Sequence, residues 1–493
     1  MIDRRLSITL LLPLGACSMV PTYQRPALPV PTALPTGAAY GEPSPNSADA
    51  ALPSLPYRDV FRDPRLQAVI DQALTNNRDL RIAAANIEIA RAQYRAQRAE
   101  QLPLINSNNS VNIVDAGTGR TNIGGSPVTG GQRTNYALNL GLTQFEIDIF
   151  GRLAALSEAD QARYFASDVG ARATRLALIG DIATAWLQYA TDKSLLNVAQ
   201  QTVDNAGASV RLIKARLDGG IAPRTDLAQA ETVLATAQSD QAQQLTALAQ
   251  DINALQLLVG APIDTALLPG SIAEAAKGIG DAPATLESTI LLRRPDVVQA
   301  EYQLRAANAE VGAARAALFP RLSLTLLAGL GSNGLSQLFT TRAFNYSATP
   351  GVSYPLFAGG RNKAALAQAR AQLDVAVAAY ERSIQVAFRE VADALARRGT
   401  IEDQLGAQQR LAQATADSLR LTDARYRGGI DSFLANLDAQ RSAYQAQRSL
   451  AQTQLVAAAN RVALYRVLGG DALTDMGPKG PVPAINESPA TSE

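Results

Sequence analysis

The residue types that most often carry enzyme chemistry are nearly absent from this chain. It has no histidine and a single cysteine, Cys17, which excludes imidazole bases, Cys/His nucleophile pairs and almost every kind of zinc site. Its acidic residues lie mainly in repetitive, helix-forming sequence rather than in loops that could present a site. We therefore predict a protein that is not an enzyme and has neither catalytic nor metal-binding residues.

The chemistry that remains open is acylation of the Cys17 thiol. Arg4 and Arg5 precede the apolar stretch from Leu6 to Leu14, which suits a secretory signal and is too short to span a bilayer. The stretch closes with Leu14-Gly15-Ala16-Cys17, which resembles a bacterial lipobox. This pattern predicts a signal peptide over residues 1–16 and a covalent lipid on Cys17, with no other cofactor. The alternative is an ordinary signal peptide followed by an unmodified cysteine.

Prolines recur through the segment that follows Cys17, from Pro21 to Pro53. Proline lacks a backbone donor and has a fixed φ, so this segment is expected to be extended and non-helical. We interpret residues 17–60 as a lipid-anchored tether that runs along the body of the protein.

The remainder of the chain is an internal duplication. Gly151-Arg152 recurs as Gly360-Arg361, and Gly219-Gly220-Ile221 recurs at the same separation as Gly428-Gly429-Ile430. Each copy has the order helix, two strand-like runs, a very long helix, a glycine turn and a second helix. The predicted divisions are a first repeat at 61–270, a second repeat at 271–470 and a disordered tail at 471–493.

Each copy contains two runs with the period-two alternation of a strand that has one apolar face, as at Leu138, Leu140 and Leu142. These strands are predicted at about 104–114, 135–148, 321–331 and 343–355. A run of about 10 residues suits a tilted transmembrane strand. Four strands cannot close a barrel, and a membrane tolerates no open sheet edge, so several chains would have to pool their strands. The alternative is a soluble hairpin that caps the helices.

Helical hairpins are predicted after the strands, at 152–260 and 361–469. The run that ends at Asp218 contains no proline and has heptad-like apolar spacing, which predicts one continuous helix of about 100 Å. Trp186 in this apolar stripe is interpreted as ordinary interhelical packing. The helices Thr225 to Val259 and Pro64 to Gln101 are each about half as long, so the two stacked end to end would match the long helix.

These features together resemble the TolC-like outer membrane factor family, in its lipoprotein branch of multidrug efflux channels. The resemblance covers Cys17 to about Gly470 and includes the Pro21-x-Tyr23-x-x-Pro26 leader behind the cysteine. It implies a mainly α fold with a small β part, built from a duplicated helix-strand-strand-helix-helix unit. In the implied homotrimer, long coiled-coil helices form an α-barrel, and four strands per chain contribute to a 12-stranded transmembrane β-barrel.

The resemblance implies the outer-membrane exit duct of a tripartite, RND-type efflux pump, a passive channel for drugs and other small molecules. Such a duct would be lipid-anchored in the cell outer membrane, would contact its lipids, and would extend a tunnel into the periplasm. Its implied partners are a periplasmic adaptor protein and an inner-membrane transporter, while a net charge of +1 indicates no nucleic-acid partner. The alternatives are a duct for type I protein secretion and a structural periplasmic coiled-coil lipoprotein without a pore.

The segment Phe433 to Arg441 resembles the aperture segment of the family. By that resemblance Asp438 belongs to an acidic constriction ring, Leu434 to an apolar ring one turn away, and Arg441 to an adjacent basic position. A family member with a second acidic ring has aspartate where this chain has Ala435, so a double ring is not expected. The alternative for Asp438 and Arg441 is a surface ion pair along one helix.

Asp226 matches a family position whose carboxylate bonds to a tyrosine ahead of the second glycine turn, here Tyr426. That bond would latch adjacent coiled coils and hold the periplasmic gate closed. A helix-start role for Asp226, favoured by the helix dipole, explains the residue equally well. The resemblance also makes the two turns docking tips for the adaptor, although glycine suits a helix end for structural reasons alone. The glycines of these tips are Gly219, Gly220, Gly428 and Gly429.

Overall fold

The computed structural model describes residues 18–40, 55–115, 121–123, 126–128, 132–281, 288–477 and 480–483. The predicted signal peptide, Cys17 and the last residues of the predicted tail lie outside these ranges. The chain divides into two compact units. The first comprises Met1–Pro26, Ile87–Ala166 and Glu301–Ala379, and the second comprises Ala27–Asn86, Ser167–Ala300 and Tyr380–Glu493. None of the helices in the described ranges is both long and apolar enough to cross a bilayer.

The order of elements repeats along the chain, as the internal duplication predicts. The first part runs α1 (Tyr57–Val60), α2 (Pro64–Asn76), α3 (Arg78–Ala99), β1 (Ile105–Asp115), β2 (Thr121–Ile123), β3 (Ser126–Val128), β4 (Gln132–Ile147), α4 (Arg152–Asp218) and α5 (Arg224–Val259). The second part runs α6 (Ile272–Ala275), α7 (Pro295–Ala316), β5 (Arg321–Ser332), β6 (Phe344–Ser353), α8 (Arg361–Arg427), α9 (Phe433–Val467), β7 (Met476–Gly477) and β8 (Gly480–Pro481). The two long helices, α4 and α8, each contain 67 residues. This mainly helical fold with four long strands is the predicted fold class.

The sequence predicted one helix from Pro64 to Gln101, and this prediction is wrong because the helix is broken at Asn77. The Asn77 side chain accepts a hydrogen bond from the Leu80 amide at 3.0 Å, which caps the start of α3. Its Nδ2 donates to the carbonyl of Leu258 at 2.7 Å and so ties the break to the end of α5. An asparagine cap inside a helical pattern is a local signal that could have revealed the break.

The four long strands form one antiparallel sheet in the order β1-β4-β5-β6. Leu140 on β4 lies opposite Ser107 on β1 and Ala328 on β5, and Ala328 lies opposite Tyr346 on β6. Because side chains alternate between faces, the face that carries Leu140 is mostly apolar. Its other members include Leu138, Leu142, Leu324, Leu326, Leu330 and Phe344. The opposite face carries the row Asn108, Asn139, Gly329 and Asn345.

Both the apolar face and the edges of this sheet remain open within the described chain. Leu140 is 61% exposed, Tyr346 is 78% exposed and Val352 is 73% exposed. The outer strands β1 and β6 each pair on one side only, so a row of backbone donors and acceptors on each has no partner strand. A sheet of this kind requires both an apolar environment and further strands.

The core of the second unit lies around Trp186, which is fully buried. Its indole nitrogen donates to the carbonyl of Leu267 at 3.1 Å, and the rings of Phe61 and Tyr465 pack edge to face at 5.1 Å. Side chains from α2, α4, α5 and α9 share this cluster. Trp186 therefore has the structural role that its place in the apolar stripe predicts.

Residues 471–477 and 480–483 are ordered by contacts, which differs from the expectation of a disordered tail from residue 471. The Thr474 amide donates to the carbonyl of Arg293 at 3.0 Å, and Thr474 is only 2% exposed. The Val482 amide donates to the carbonyl of Asp475 at 2.9 Å beside the short β7–β8 pair. A polar, proline-rich composition suggested disorder, but the bond of Thr474 depends on Arg293, a partner far away in the sequence.

Candidate functional site

The first glycine turn ends α4 with a Schellman motif. Gly220 has a φ of +76°, its amide bonds to the carbonyl of Leu217 at 2.9 Å, and the Ile221 amide reaches the carbonyl of Arg216 at 2.9 Å. No atom lies within 4 Å of the place where a Cβ on Gly220 would sit, so backbone conformation alone selects glycine there. Ile221 follows the turn with 78% of its surface exposed.

The second turn repeats this geometry at the end of α8. Gly429 has a φ of +73°, its amide bonds to the carbonyl of Tyr426 at 3.0 Å, and the Ile430 amide bonds to that of Arg425 at 2.9 Å. Ile430 is 68% exposed. Each tip therefore presents one isoleucine to its surroundings.

A small apolar cluster lies next to the tips within the second unit. It consists of Ile213, Ala230, Tyr426, Phe433 and Leu437. The rings of Tyr426 and Phe433 lie 5.6 Å apart between centroids, and the guanidinium of Arg216 lies 4.8 Å above the Tyr426 ring. These contacts bury Tyr426 and fix the start of α9 against α4 and α8.

The predicted aperture residues occupy the exposed side of α9. Leu434, Asp438 and Arg441 are all exposed, and their spacing puts them on one face of the helix. Phe433 and Leu437 on the other side are buried. Asp438 and Arg441 form no ion pair with each other or with any other described residue, so the alternative of a surface ion pair is not observed. The face that carries the three residues is free in the single chain.

The predicted Asp226–Tyr426 hydrogen bond does not form inside the chain. Asp226 is half-buried in the first turn of α5, where its amide bonds to the carbonyl of Pro223 at 3.2 Å. Among the described side chains, neither Asp226 nor Tyr426 hydrogen-bonds the other. A bond between Asp226 of one chain and Tyr426 of the next stays a prediction.

A groove of about 360 Å³ lies between α4, α8 and α9 close to the second tip. Its lining is mixed, with polar residues such as Gln201, Asn205 and Arg420 beside apolar ones such as Leu212 and Leu419. Asn436 is 1% exposed, and its Oδ1 has no hydrogen-bond partner among the described residues. This side chain at the edge of the groove therefore keeps an unsatisfied buried acceptor.

The leader behind Cys17 is bound along α7 in the first unit. Asn308 Nδ2 donates to the carbonyl of Pro21 at 2.8 Å, and Arg25 donates to both carboxylate oxygens of Glu301, at 3.0 and 2.8 Å. Tyr23 also donates to Glu301, at 3.3 Å, and burial together with that carboxylate raises the pKa of Tyr23 to about 12. Three leader residues are therefore held in a defined path.

The contacts of the leader fix its direction along α7. Val20 packs on Gly312, where a Cβ would lie 2.5 Å from Val20 Cγ2, while Arg25 lies beside Glu301. The leader therefore runs antiparallel to α7, and its N-terminal end approaches the end of α7, shortly before β5 begins at Arg321.

Comparison with known proteins identifies the family. Residues 69–261 and 286–470 match the family model described as outer membrane efflux protein. The chain belongs to the outer membrane efflux protein family. The solvent efflux pump outer membrane protein SrpC of Pseudomonas putida is 43% identical over 464 residues, which cover 93% of this chain and 96% of SrpC. Outer membrane protein OprJ of Pseudomonas aeruginosa is 38% identical over 468 residues, which cover 94% and 95% of the two chains.

Solved structures support the same assignment for this outer membrane efflux protein. A crystal structure of CusC superposes with a TM-score of 0.82 at 35% identity, over 92% of this chain and 100% of that one. The open state of the MtrE outer membrane channel from Neisseria gonorrhoeae gives a TM-score of 0.81 at 32% identity, over 93% and 99%. The chain is thus an outer-membrane protein, and its relatives are efflux channels rather than enzymes.

Two polar clusters of this outer membrane efflux protein were missed by the sequence analysis. One is the Glu301 site for the leader. The other joins α5 to α9, where Tyr444 donates to Asp240 at 2.5 Å and Arg448 to the same carboxylate at 3.1 Å. Burial and the Asp240 carboxylate raise the pKa of Tyr444 to about 12. Tyr23 belongs to the leader motif, but nothing local pairs it with Glu301, and Asp240 and Tyr444 likewise lie far apart in the sequence.

Proposed function

We propose that the chain is the exit duct of a tripartite efflux pump, a passive outer-membrane channel for drugs and other small molecules. The observation that carries this proposal is the four-stranded sheet with one exposed apolar face and two unpaired edges. Relatives named for the efflux of solvents, toluene and antibiotics support the substrate class. The described chain combines this sheet with long helical hairpins, which suits a pore wall rather than a soluble spacer.

Three chains would close the sheet. The β1 edge of one chain would pair with the β6 edge of the next, and twelve strands lie within the range of known outer-membrane barrels. The apolar face that carries Leu140 would then face lipid, and the row around Asn139 would face the lumen. The long helices of the three chains would enclose the periplasmic tunnel.

Cys17 is proposed as the lipid anchor. The leader geometry supports this, because Val20 lies against Gly312 near the C-terminal end of α7, the helix that leads into β5, and an acyl chain there could enter the same membrane as the strands. An anchor held by a bound leader would stay close to the barrel rim.

We propose that the gate and the docking site for the adaptor lie at the two glycine turns of the hairpins. Around a threefold axis, the free face with Leu434 and Asp438 would form an apolar ring and an acidic ring. Ile221 and Ile430, with the groove next to the second tip, supply apolar and polar contacts for a helical adaptor. The adaptor would join the duct to an inner-membrane transporter.

A deletion strain complemented with plasmid-borne variants tests the function. The wild-type gene should restore resistance to several unrelated small drugs, measured as minimal inhibitory concentrations. Ile221→Asp combined with Ile430→Asp should leave the protein in the outer membrane but abolish resistance, because charged tips would oppose adaptor docking. Normal resistance in the deletion strain itself, with loss of a secreted protein instead, would contradict the efflux role.

A further inference from the structure

A carboxyl pair that plays no part in the proposed channel lies between α4 and α5 of the second unit. Asp192 on α4 is 8% exposed, and Gln188 Nε2 donates to it at 3.0 Å. Asp251 on α5 contacts Asp192. The Oδ2 atom of Asp251 is enclosed, and no donor of the described chain reaches it.

Two ionised carboxylates cannot hydrogen-bond each other, since each only accepts. When one of them takes up a proton, it becomes a donor, and the contact turns from repulsion into a hydrogen bond. Burial, together with the neighbouring Asp192, raises the pKa of Asp251 to about 7. The contact between Asp192 and Asp251 therefore changes from a hydrogen bond to a repulsion near neutral pH.

No neighbouring cation on α4 or α5 neutralises the two carboxylates in place of this proton. On α4, Tyr189 has a pKa raised by burial and by Asp251, so it stays neutral near pH 7. Lys193, the nearest cation in the sequence of α4, forms no ion pair in the ranges that the structure describes. On α5 itself, no ionisable residue occurs between Asp240 and Asp251 or from there to Val259.

The helices that pack against α5 add no competing partner. On α9, the stretch between Arg448 and Arg461 contains no ionisable side chain. The two charged side chains of α2 are engaged elsewhere. Arg65 pairs with Asp63 and Glu274, and Asp71 with Tyr57 and Arg58.

We propose that protonated Asp251 donates a hydrogen bond to the Asp192 carboxylate, and that this bond fastens α4 to α5 in acidic and neutral media and is released as the medium becomes alkaline. The hairpin would thus be a pH-sensitive part of the fold. Folding raises the proton affinity of Asp251, so its contribution is fully present below the ordinary carboxyl pKa. It is lost as the pH rises through the folded value near 7.

Thermal unfolding of the purified full-length protein between pH 5 and 9 tests the proposal. Asp251→Asn keeps a permanent donor toward Asp192, so the difference between its Tm and that of the wild type should grow in favour of the variant by about 2 °C or more as the pH rises from 5 to about 7. Above that pH the difference should stay constant. Asp192→Asn places the amide on α4 instead of α5, and it should likewise weaken the pH dependence of the Tm. If one variant fails to fold, the other provides the comparison.

Asp240→Asn is the matched control, because it neutralises a carboxylate on the same helix that Tyr444 and Arg448 already bind. Its Tm should be lower than that of the wild type by an amount that does not change between pH 6 and 9. Infrared spectra of the wild type should show a protonated carboxyl band that disappears between pH 6 and 9. Parallel Tm curves for the wild type and both asparagine variants, or the lack of that band at pH 6, would overturn the proposal. Neither measurement depends on a pore, so failure here leaves the channel proposal standing.

Discussion

The guanidinium of Arg25 lies 2.8 Å from the carboxylate of Glu301, whose side chain has no exposed surface. A buried carboxylate is stable only when donors surround it, and here Arg305 supplies another at 2.9 Å and Tyr23 a third. Arg305 also stacks over the Tyr23 ring, at 4.8 Å from its centroid. The leader therefore supplies hydrogen-bond donors to the buried Glu301 carboxylate, for which α7 itself provides only Arg305.

Displacing the leader should expose it to protease. Gly312→Ala would put a methyl group 2.5 Å from Val20 Cγ2 and 2.7 Å from its Cα, an overpacking that costs about 1 to 3 kcal/mol. We expect a lower Tm and faster chymotryptic cleavage after Tyr23, since the Arg25–Pro26 bond resists trypsin. Gly406→Ala is the control, since its methyl would meet only the flexible Arg410 side chain at 3.5 Å and should raise helix stability by about 0.5 to 1 kcal/mol. Equal behaviour of the two variants would mean that the leader is not bound along α7.

The two faces of the sheet should respond differently to charge. Leu140→Arg puts a cation on the apolar face, which would cost about 2 to 4 kcal/mol at the middle of a bilayer. The yield of heat-resistant oligomer in outer-membrane fractions should therefore decrease. Asn139→Arg lies on the opposite face, where Gly329 across β5 leaves room, and should assemble normally. A similar loss for both variants would rule out the assignment of the Leu140 face to lipid.

The features that sequence could predict are those encoded locally. The turn at Gly220 requires a positive φ, and the alternation around Leu140 needs only the two-residue period of a strand, so the hairpins and strands were found close to their observed positions. The Arg25–Glu301 and Asp240–Tyr444 contacts join residues separated by 276 and 204 positions. No local pattern marks such pairs, because each partner alone is compatible with an ordinary exposed charge.

The charge at the free face of α9 should set ion selectivity. Three Asp438 carboxylates near one axis would attract cations, so Asp438→Asn should lower the cation-to-anion permeability ratio measured from reversal potentials in planar bilayers. Asp438→Glu keeps the charge and should keep most of the selectivity. Wild-type selectivity in Asp438→Asn would mean that Asp438 lies outside the constriction.

The remaining prediction concerns the latch between chains, which Asp226 and Tyr426 do not form within one chain. Tyr426→Phe keeps the ring packed on Phe433 and under Arg216, so it removes only the hydroxyl. Combined with Asp226→Ala, it would remove one hydrogen bond at each of three interfaces, about 0.5 to 1.5 kcal/mol each. Loss of a total free energy of that size would substantially lower the fraction of channels that are closed.

We therefore expect the Asp226→Ala/Tyr426→Phe channel to conduct more than the wild type in planar bilayers, and cells that carry it to become sensitive to vancomycin. Glu231→Ala removes an exposed acid from the same helix α5 and should leave both measurements unchanged. The Tm of the double variant should stay close to that of the wild type, because the buried ring contacts are retained. Wild-type conductance in the double variant would leave Asp226 with the role of a helix-start residue, whose carboxylate complements the dipole of α5.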